Sequence, residues 1–420
     1  MKFFGVRFAT VRLFFFLTVS LGWLTACNEY KPVARINQAY LYNRNVPLNV
    51  QFRVLESGED LQVFIQIQFK KLEGLKNHLA VWEKYHMLYR VTPGYESNKK
   101  LAGDTLHPSE RVAPSVNPLV LLVKVPKSEK NRLFELHVKE RFSQEDFVFD
   151  LPLKKASESG DYQACLFTSK GRIPVFEPYI RTGDTVVLRT FNFGFNGSEM
   201  EFHPFNASVA LPPMAAIPTS GHDFEESYPV KTEMNELTVF SQSGYYFLPS
   251  GKEPKTGFGF MVAPSFFPMV TKPTELIDPM IYISTREERK NLMEASNQKL
   301  ALDQFWLKIS SQKDQARKMI RRYFENIEDA NRLFSSHKAG WKTDRGMVMA
   351  IYGQPPIVYR NLDSEIWQYD KTVGGENTVF YFTRRPADKD PNVWELKRYN
   401  EYDRVWYGVV ELWRKGVINR

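Results

Sequence analysis

Residues 337–357 constrain the fold most, because a long helical pattern ends there and short aromatic strand patterns follow. Gly340 comes after a helix rich in basic residues, where a left-handed residue is expected. Trp341 is large and apolar, so we expect it to fix the turn onto a core. Gly346 would permit a second positive φ. The stretch is therefore predicted to be a rigid junction between a helix and a sheet.

The polar residues of this junction are predicted to hold its turn. Thr343 and Asp344 can accept hydrogen bonds from nearby backbone N–H groups, as in Asx and ST turns. An asparagine at position 344 could do the same, because an amide oxygen also accepts. Residues 347–352 are predicted to form a buried strand. Residues 353–356, Gly-Gln-Pro-Pro, should end that strand because proline cannot donate to a sheet ladder.

The sequence Gly-Trp-Lys-Thr-Asp at residues 340–344 resembles the motif that names the GWxTD domain, a bacterial family. The likeness continues through the Tyr-Gly-Gln-Pro-Pro turn at 352–356 and an expected strand at 365–369, and it covers roughly the last third of the chain. Members are typically exported or lipid-anchored proteins with β-rich N-terminal regions. The family has no established activity, so the resemblance implies no catalytic residues. It implies a structural or binding role for the motif residues Gly340, Trp341, Thr343, Asp344, Gly346, Tyr352, Gly353, Pro355 and Trp367.

The N-terminus is predicted to be a targeting segment outside the fold. A basic start precedes an apolar run at 13–23, and Leu-Thr-Ala-Cys at 24–27 resembles the lipobox of bacterial lipoproteins. We expect residues 1–26 to be a lipoprotein signal peptide and Cys27 to be lipidated. The alternative is a plain transmembrane anchor, for which the apolar run is short against the roughly 20 residues that a span needs. The expected location is the cell envelope, with the chain attached to the outer membrane and facing the periplasm.

Charge and cysteine content narrow the class of protein. The formal net charge of +8 comes from interspersed acids and bases, without the basic block that marks nucleic-acid binding. We therefore expect no nucleic-acid partner. With Cys27 lipidated, only Cys165 remains and no internal disulfide can form. Cys165 lies in an apolar run, so it is interpreted as a buried hydrophobe and not a nucleophile.

The first two thirds of the chain are read as β structure. The run at residues 61–69 alternates, with Val63, Ile65, Ile67 and Phe69 on one face. Similar short runs recur between Pro- and Gly-rich turns, including runs at 208–211 and 280–284, which favours antiparallel β-sandwiches. The fold class is therefore mainly β with a helical segment. We predict four parts: the signal at 1–26, one β-sandwich region at 27–157, a second at 158–284, and a helical segment with the GWxTD domain, a small α+β unit, at 285–420. The polar stretch at 154–160 offers few apolar side chains that could bind the two sandwiches together, so we expect a fragment that starts near Glu158 to fold without the first sandwich.

The helical segment carries two sequence signals. Thr285 and Glu288 form a capping box, in which each side chain bonds the backbone of the other. Apolar residues between 316 and 330 recur at helical spacing, and the arginines among them should face water. The tail at 394–413 alternates apolar and polar residues, so we expect it to complete the small sheet.

The junction contains the acid–base candidates. These are His337, Asp344 and Glu365, and the structural alternative pairs Glu365 with Arg345 or Arg360. Tryptophans at 341, 367, 394, 406 and 413 are either core or a stacking platform for a sugar or peptide.

The seven histidines show no metal-ligand spacing, so no metal and no cofactor are expected. Glu201 with His203, and His222 with Asp223, lie in the second region and could meet in space, but we expect surface or turn residues there. Our leading hypothesis is a non-enzymatic binding or assembly protein of the envelope, whose partner is another envelope protein or a glycan. The alternative is an envelope hydrolase that uses carboxylates near the junction.

Overall fold

The structure is a computed structural model. It describes residues 30–70, 77–155, 158, 160–191, 199–205, 207–216, 224, 226–250, 257–310, 312–370, 375, 377–384, 390 and 393–417. The predicted signal peptide, Cys27, His222 and Asp223 lie outside these residues. Within them, no helix is both long enough and apolar enough to span a membrane.

The first region contains two antiparallel sheets, as predicted. Sheet A has the order β1-β2-β4 and sheet B has the order β3-β5-β6. Their strands are β1 Leu48–Ser57, β2 Asp60–Phe69, β3 Tyr85–Thr92, β4 Leu119–Pro126, β5 Arg132–Glu140 and β6 Asp146–Leu153. A short helix, α1 (His78–Lys84), leads into β3. The two sheets share one apolar core, so they pack face to face as a sandwich.

Strand β2 uses both of its faces. Val63, Ile65 and Ile67 point into the core between sheets A and B, as their alternation predicts. Phe64 points the other way, into an apolar cluster that also contains Cys165 and Phe167 from the second region. Apolar side chains outside the stretch at 154–160 therefore join the two regions, which the sequence did not predict. Sheet A is covered on both faces.

The second region also contains two sheets. Sheet C has the order β12-β9-β7, and sheet D has the order β11-β10-β13-β14-β8 with one parallel pair, β14 and β8. Their strands are β7 Ala164–Thr168, β8 Tyr179–Arg181, β9 Thr185–Thr190, β10 Glu199–His203, β11 Tyr228–Lys231, β12 Leu237–Val239, β13 Gly244–Pro249 and β14 Gly257–Ala263. Two predicted strands are wrong: residues 208–211 are irregular, and residues 280–284 overlap a 3₁₀ turn, Asp278–Tyr282. Prolines 212, 213 and 279 favour such breaks.

The sheets stack in four layers in the order B, A, C, D. In β7, Leu166 faces sheet D, whereas Cys165 and Phe167 face sheet A. In sheet D, Tyr246 faces sheet C, whereas Tyr245 faces a cluster that includes Ala339 beside the Gly-Trp motif. The outer face of sheet D thus forms the surface on which the C-terminal part rests.

The C-terminal part combines helices with sheet E, whose order is β15-β16-β17-β18. Its elements are α2 Pro273–Ile277, α3 Arg286–Glu294, α4 Gln298–Ser310, α5 Lys313–Phe334, α6 Asp344–Tyr352, β15 Ile357–Arg360, β16 Ser364–Tyr369, β17 Thr378–Arg384, β18 Trp394–Leu396 and α7 Tyr402–Arg414. The predicted capping box begins α3, since the Thr285 hydroxyl accepts from the Glu288 N–H. The apolar stripe of α5 is buried against α6 and sheet E.

Two predicted elements of this part have the wrong type. Residues 347–352 belong to helix α6 and not to a strand. Residues 347–352 are all apolar, because the helix is buried on nearly every side. The sequence therefore lacks the periodic pattern that separates a helix from a strand. The tail forms only the short strand β18 and then helix α7, whose buried residues Tyr402, Val405, Trp406 and Val409 follow helical spacing.

The N-terminal segment crosses to the C-terminal sheet. The Gln38 N–H donates to the Val358 carbonyl at 2.8 Å, and the Val358 N–H donates to Asn37 Oδ1 at 2.9 Å. Tyr42 is buried in the C-terminal core, with its ring centroid 5.2 Å from that of Trp367. Residues at opposite ends of the chain therefore build one core.

Candidate functional site

Gly340 and Gly346 are sites of close packing and not of positive φ, which corrects the sequence prediction. A Cβ at Gly340 would lie 1.8 Å from the Ala330 carbonyl oxygen of helix α5. A Cβ at Gly346 would lie 1.8 Å from the Gly340 carbonyl oxygen. Helix α6 can therefore approach the turn before it only because both positions lack a side chain.

Trp341 locks this turn onto the core, as predicted. It is 6% exposed, and its N–H donates to Asn331 Oδ1 at 3.2 Å. Its carbonyl accepts from the Tyr282 hydroxyl at 3.0 Å. The residue thus joins the end of α5 to the 3₁₀ turn that follows α2.

Thr343 and Asp344 have different roles. Thr343 is the N-cap of α6, since its hydroxyl accepts from the Gly346 N–H at 3.0 Å. Asp344 reaches out of its own turn: it accepts from the Leu396 N–H at 2.7 Å and from both terminal nitrogens of Arg398 at 2.6 and 3.0 Å. The predicted turn cap is therefore wrong for Asp344, which instead attaches β18 through a buried ion pair.

The remaining motif residues shape the other end of α6. The ring of Tyr352 lies 5.0 Å from Phe380 and 5.9 Å from Trp406, centroid to centroid. Gly353 has a φ of 75° at the helix C-terminus, and its carbonyl accepts from the Tyr369 hydroxyl at 2.8 Å. Pro355 is buried two residues later. This end of the helix is held by packing, with Gly353 needed for the positive φ.

Trp367 and Glu365 form the centre of a buried charged network. Glu365 is fully buried and accepts from Trp367 Nε1 at 2.6 Å and from the Tyr42 hydroxyl. Arg345 donates to it at 3.4 Å, and Arg360 Nε lies 3.9 Å away. Glu365 therefore pairs with an arginine as predicted, and both candidates, Arg345 and Arg360, lie within 4.0 Å of it. Burial raises the pKa of the Tyr42 hydroxyl, and the Glu365 charge raises it further.

Arg360 carries this network into the first sandwich. It donates to Asp150 Oδ1 at 2.8 Å, and Asp150 also accepts from Gln38 at 2.6 Å and Tyr95 at 2.6 Å. Burial alone would lower the pKa of Arg360, but Asp150 and Glu365 raise it well above its usual range. The network is therefore a structural connection whose charges are paired inside the protein.

The three acid–base candidates do not converge. His337 lies among aromatic rings, 4.8 Å from Phe224 and 6.3 Å from Tyr245, on the sheet D side of the junction. Asp344 is paired with Arg398, and Glu365 belongs to the buried network. In the described part of the chain, no hydrogen bond or ion pair joins any two of the three candidates. A catalytic pair would need such mutual geometry.

The tryptophans and histidines complete the comparison with the sequence. The five tryptophans considered as a stacking platform are at most 7% exposed, so they are core residues and not an exposed platform: Trp341, Trp367, Trp394, Trp406 and Trp413. His203, expected at the surface, is buried, with Nε2 3.3 Å from Glu201 and Nδ1 2.8 Å from the Glu226 carbonyl. Among the residues the structure describes, no group of three metal-ligating side chains is found.

A cavity of about 260 Å³ adjoins the motif, and we call it the motif cavity. Trp341 and Ala339 form one wall, and Met261 and Phe267 form another. At its rim, Phe266 is 57% and Met269 is 52% exposed. A mostly apolar concave surface with an exposed apolar rim is suited to binding an apolar group.

Sequence reasoning missed this cavity, because its walls come from segments far apart in the chain. The one local signal was Phe-Phe-Pro-Met at residues 266–269, an apolar run inside a turn. Turns are usually polar, so such a run marks either a buried loop or an apolar surface. Phe267 is buried, whereas Phe266 and Met269 are exposed. The run therefore forms both a partly buried loop and an apolar surface.

Comparison with known proteins agrees with the motif geometry. The model of the GWxTD domain family matches residues 244–415. No curated protein and no solved structure matches the chain. The match is longer than the likeness seen in the motif, because it begins at β13 and so includes two strands of sheet D, the helices, the motif and sheet E. The chain therefore contains a GWxTD domain, and that domain spans the surface where sheet D meets the helical part.

Proposed function

We propose that this chain is a lipid-anchored protein of the cell envelope that acts as a non-enzymatic binding or assembly component, with the GWxTD domain as its structural and partner-binding part. The GWxTD domain and the lipobox-like residues 24–27 support the envelope location. The anchor is a diacylated or triacylated Cys27 at the outer membrane, with the folded part in the periplasm.

The proposal rests on the fact that the carboxylates at the motif are bonded to other groups of the same chain. Asp344 is held by Arg398 and by a backbone N–H, and Glu365 is fully buried in its network. A general acid or base must reach a proton on the substrate, and neither carboxylate is placed to do so. What the motif presents toward solvent is the wall of an apolar cavity. This arrangement supports binding over the hydrolase alternative.

The walls of the motif cavity also favour one class of partner. A glycan needs several polar contacts, whereas most of the exposed wall of the cavity is apolar, although Lys338, Lys342 and other polar residues also line it. The exposed Phe266 and Met269 would extend that contact beyond a single buried group. We therefore favour an apolar side chain of another envelope protein, because aromatic and aliphatic anchors that fill such pockets dominate protein interfaces.

Lipidation is tested by fatty-acid labelling. In cells given a radiolabelled fatty acid, the wild-type chain should carry label and migrate as the processed form. Cys27→Ser should be unlabelled and remain unprocessed, because the thiol is the acceptor of the lipid. Equal label in the two chains would remove the lipid anchor from the proposal.

The binding surface is tested by site-specific photocrosslinking in intact cells. A photoreactive phenylalanine at position 266 should give a discrete adduct with one envelope protein, and filling the cavity by Ala339→Phe should abolish that adduct. The control is the same probe at Phe142, which is 84% exposed in the first sandwich and far from the motif in the fold. Adducts that persist in Ala339→Phe, or equal adducts from position 142, would contradict the proposed surface.

A further inference from the structure

A second cavity lies where the sheets of the first two regions meet sheet E, and we call it the interlayer cavity. Its volume is about 340 Å³, which is the space of roughly ten water molecules. Its lining comes from β1, β6, β7, β14, β15 and β17, so all three parts of the chain contribute. Glu177 on its wall is exposed, which places that side of the cavity at the protein surface. Interfaces between domains are a common place for ligand sites.

The cavity is lined by arginines whose charge is only partly compensated. Within the described residues, no carboxylate lies within 4.0 Å of the guanidinium groups of Arg53 and Arg384. Arg53 donates only to neutral carbonyl oxygens, those of Val175 and Glu177 at 2.8 Å each and that of Phe52 at 3.2 Å. Burial lowers the pKa of both arginines. A buried guanidinium in a neutral environment is costly unless an anion comes to it.

Two of these arginines have a side-chain N–H group that makes no hydrogen bond within the described residues. The Nε atoms of Arg384 and Arg360 are buried and, among the described residues, make no hydrogen bond. Arg384 is held in place by the ring of Trp394, 5.2 Å from its guanidinium carbon. Arg360 is held through its NH1 by Asp150. Arg384 is therefore positioned by another residue while its donors remain available to a ligand. Arg360 stays committed to Asp150 and Glu365 and adds its positive charge to the lining.

The acidic residues of the lining do not cancel this charge. Asp150 already accepts from Gln38, Tyr95 and Arg360. Asp390 is buried and also lines the cavity, but it lies more than 4.0 Å from the Arg384 guanidinium, and Glu177 likewise lies more than 4.0 Å from that of Arg53. The walls between the charges are aromatic, with Phe258, Phe260 and Tyr162 among them. The cavity thus combines guanidinium donors with flat apolar surfaces.

We propose that the interlayer cavity binds a small organic anion. A carboxylate or phosphate group would pair with Arg384, since a planar guanidinium group matches both anions with two parallel hydrogen bonds. The ring or short chain that carries the anion would lie against the aromatic walls. The site is separate from the motif cavity and does not depend on the proposed partner protein.

The test is a binding titration with two charged probes and their neutral counterparts. The protein used is the chain without the predicted signal peptide at 1–26, which we call the mature chain. Phenyl phosphate is compared with phenol, and glucuronate with glucose, by calorimetry and by the shift in melting temperature. At least one charged probe should bind about tenfold more tightly than its neutral counterpart, because only the charged one uses the arginines. If both charged probes bind no better than the neutral ones, the proposal is wrong.

Arginine substitutions locate the binding. Arg384→Gln should weaken binding of the charged probe about tenfold or more. Arg317→Gln is the control, since that arginine is 67% exposed on helix α5. Unchanged binding by Arg384→Gln would overturn the proposal. If Arg384→Gln does not fold, tryptophan fluorescence gives a second test. The charged probe should change the fluorescence of the wild-type chain. In Trp394→Phe this change should be lost, while the probe should still shift the melting temperature. A fluorescence change of the same size in Trp394→Phe would place the probe elsewhere.

Discussion

Glycine is required at position 340 because helix α5 leaves no room for a side chain there. The nearest atom to a Cβ at this position would be the Ala330 carbonyl oxygen, and a backbone atom cannot move aside as a flexible side chain can. The same holds at Gly346, where the obstacle is the carbonyl of Gly340 itself. The two glycines therefore set the distance between α5, the motif turn and α6.

We expect Gly340→Ala to lower the free energy of unfolding by about 3 kcal/mol or more, as overpacking of a tight core does. The measurement is urea unfolding of the purified mature chain. Gly58→Ala is the control, because Gly58 has a φ of 60° but open space around it. That change should cost only about 1 kcal/mol from backbone strain. A cost for Gly340→Ala no larger than that for Gly58→Ala would contradict close packing as the reason for the glycine at position 340.

For single residues, the sequence predicted the role of a side chain better than it predicted the residue that the side chain contacts. Trp341 as a core anchor, Glu365 beside two arginines and Cys165 as a buried hydrophobe all follow from side-chain chemistry alone. Burial raises the pKa of the Cys165 thiol to about 11, consistent with an unreactive residue. The partner of Asp344 could not be predicted, because Arg398 is 54 residues away and only the fold brings the two together.

Helix α6 shows where reading of the elements fails. Its six apolar residues fit a buried strand as well as a buried helix, and the Thr343 cap was the only local signal that favours the helix. Helix α7 has a clear helical period, and the alternation inferred for it was the wrong choice between two partial patterns. By contrast, α5 and strand β2 have one polar and one apolar face over part of their length, so their types were predicted correctly.

Helices α3 and α7 are joined at their ends by Glu288 and Arg414. The two side chains form paired hydrogen bonds at 2.8 and 3.0 Å. The Arg414 hydrogen bonds lower the pKa of Glu288 to about 2, against an ordinary value of 4.5. A carboxylate with a lowered pKa stabilises the fold above its unfolded-state pKa, and this contribution is lost as the pH falls from about 4.5 to about 2.

We expect Glu288→Gln to cost about 1 kcal/mol at pH 6, a figure reduced because Arg414 is 34% exposed. The difference from wild type should shrink toward zero as the pH falls to about 2. Urea unfolding at pH 6, 4 and 2.5 measures it. Glu294→Gln on the same helix, where the ion pair with Lys290 is exposed, should show no pH-dependent difference. A cost for Glu288→Gln that is constant across this range would contradict the assignment.

At the scale of the whole molecule, the three predicted regions share their interiors. Sheet A packs on sheet C, and the segment at 37–42 lies against sheet E. The domain boundaries at 157 and 284 remain predictions from composition, and the family match crosses the second of them because it begins at Gly244. Sequence patterns locate turns well, but they carry no information on which sheet faces lie against one another.

We expect a fragment of residues 158–420 to be much less stable than the mature chain, which reverses the expectation from the sequence. Arg360 would lose Asp150, Glu365 would lose Tyr42, and the face of sheet C that carries Phe167 would be exposed. Circular dichroism melts of the fragment and of the mature chain compare the two. A cooperative melt of the fragment at the same temperature as the mature chain would show that the first sandwich is an independent unit.

The central claim is that the motif holds these parts of the molecule together. Trp341 bonds to α5 and to Tyr282, and Asp344 bonds to Arg398, which in turn donates to the Leu211 carbonyl of the second region at 3.1 Å. The motif therefore connects helices, sheet E and a loop of the second region. A substitution here should be felt by the whole molecule and not by one turn.

The most direct test is the unfolding of the mature chain with Asp344→Asn and, separately, Trp341→Ala. We expect Asp344→Asn to cost about 2–3 kcal/mol, because it removes the charge partner of the largely buried Arg398 while the amide oxygen can still accept a hydrogen bond. Trp341→Ala should cost about 3–5 kcal/mol through the cavity it creates. Each substitution should lower the free energy of unfolding while the chain still unfolds in a single cooperative transition. If both variants unfold like the wild type, the motif is not structural, and a catalytic role for Asp344 takes its place.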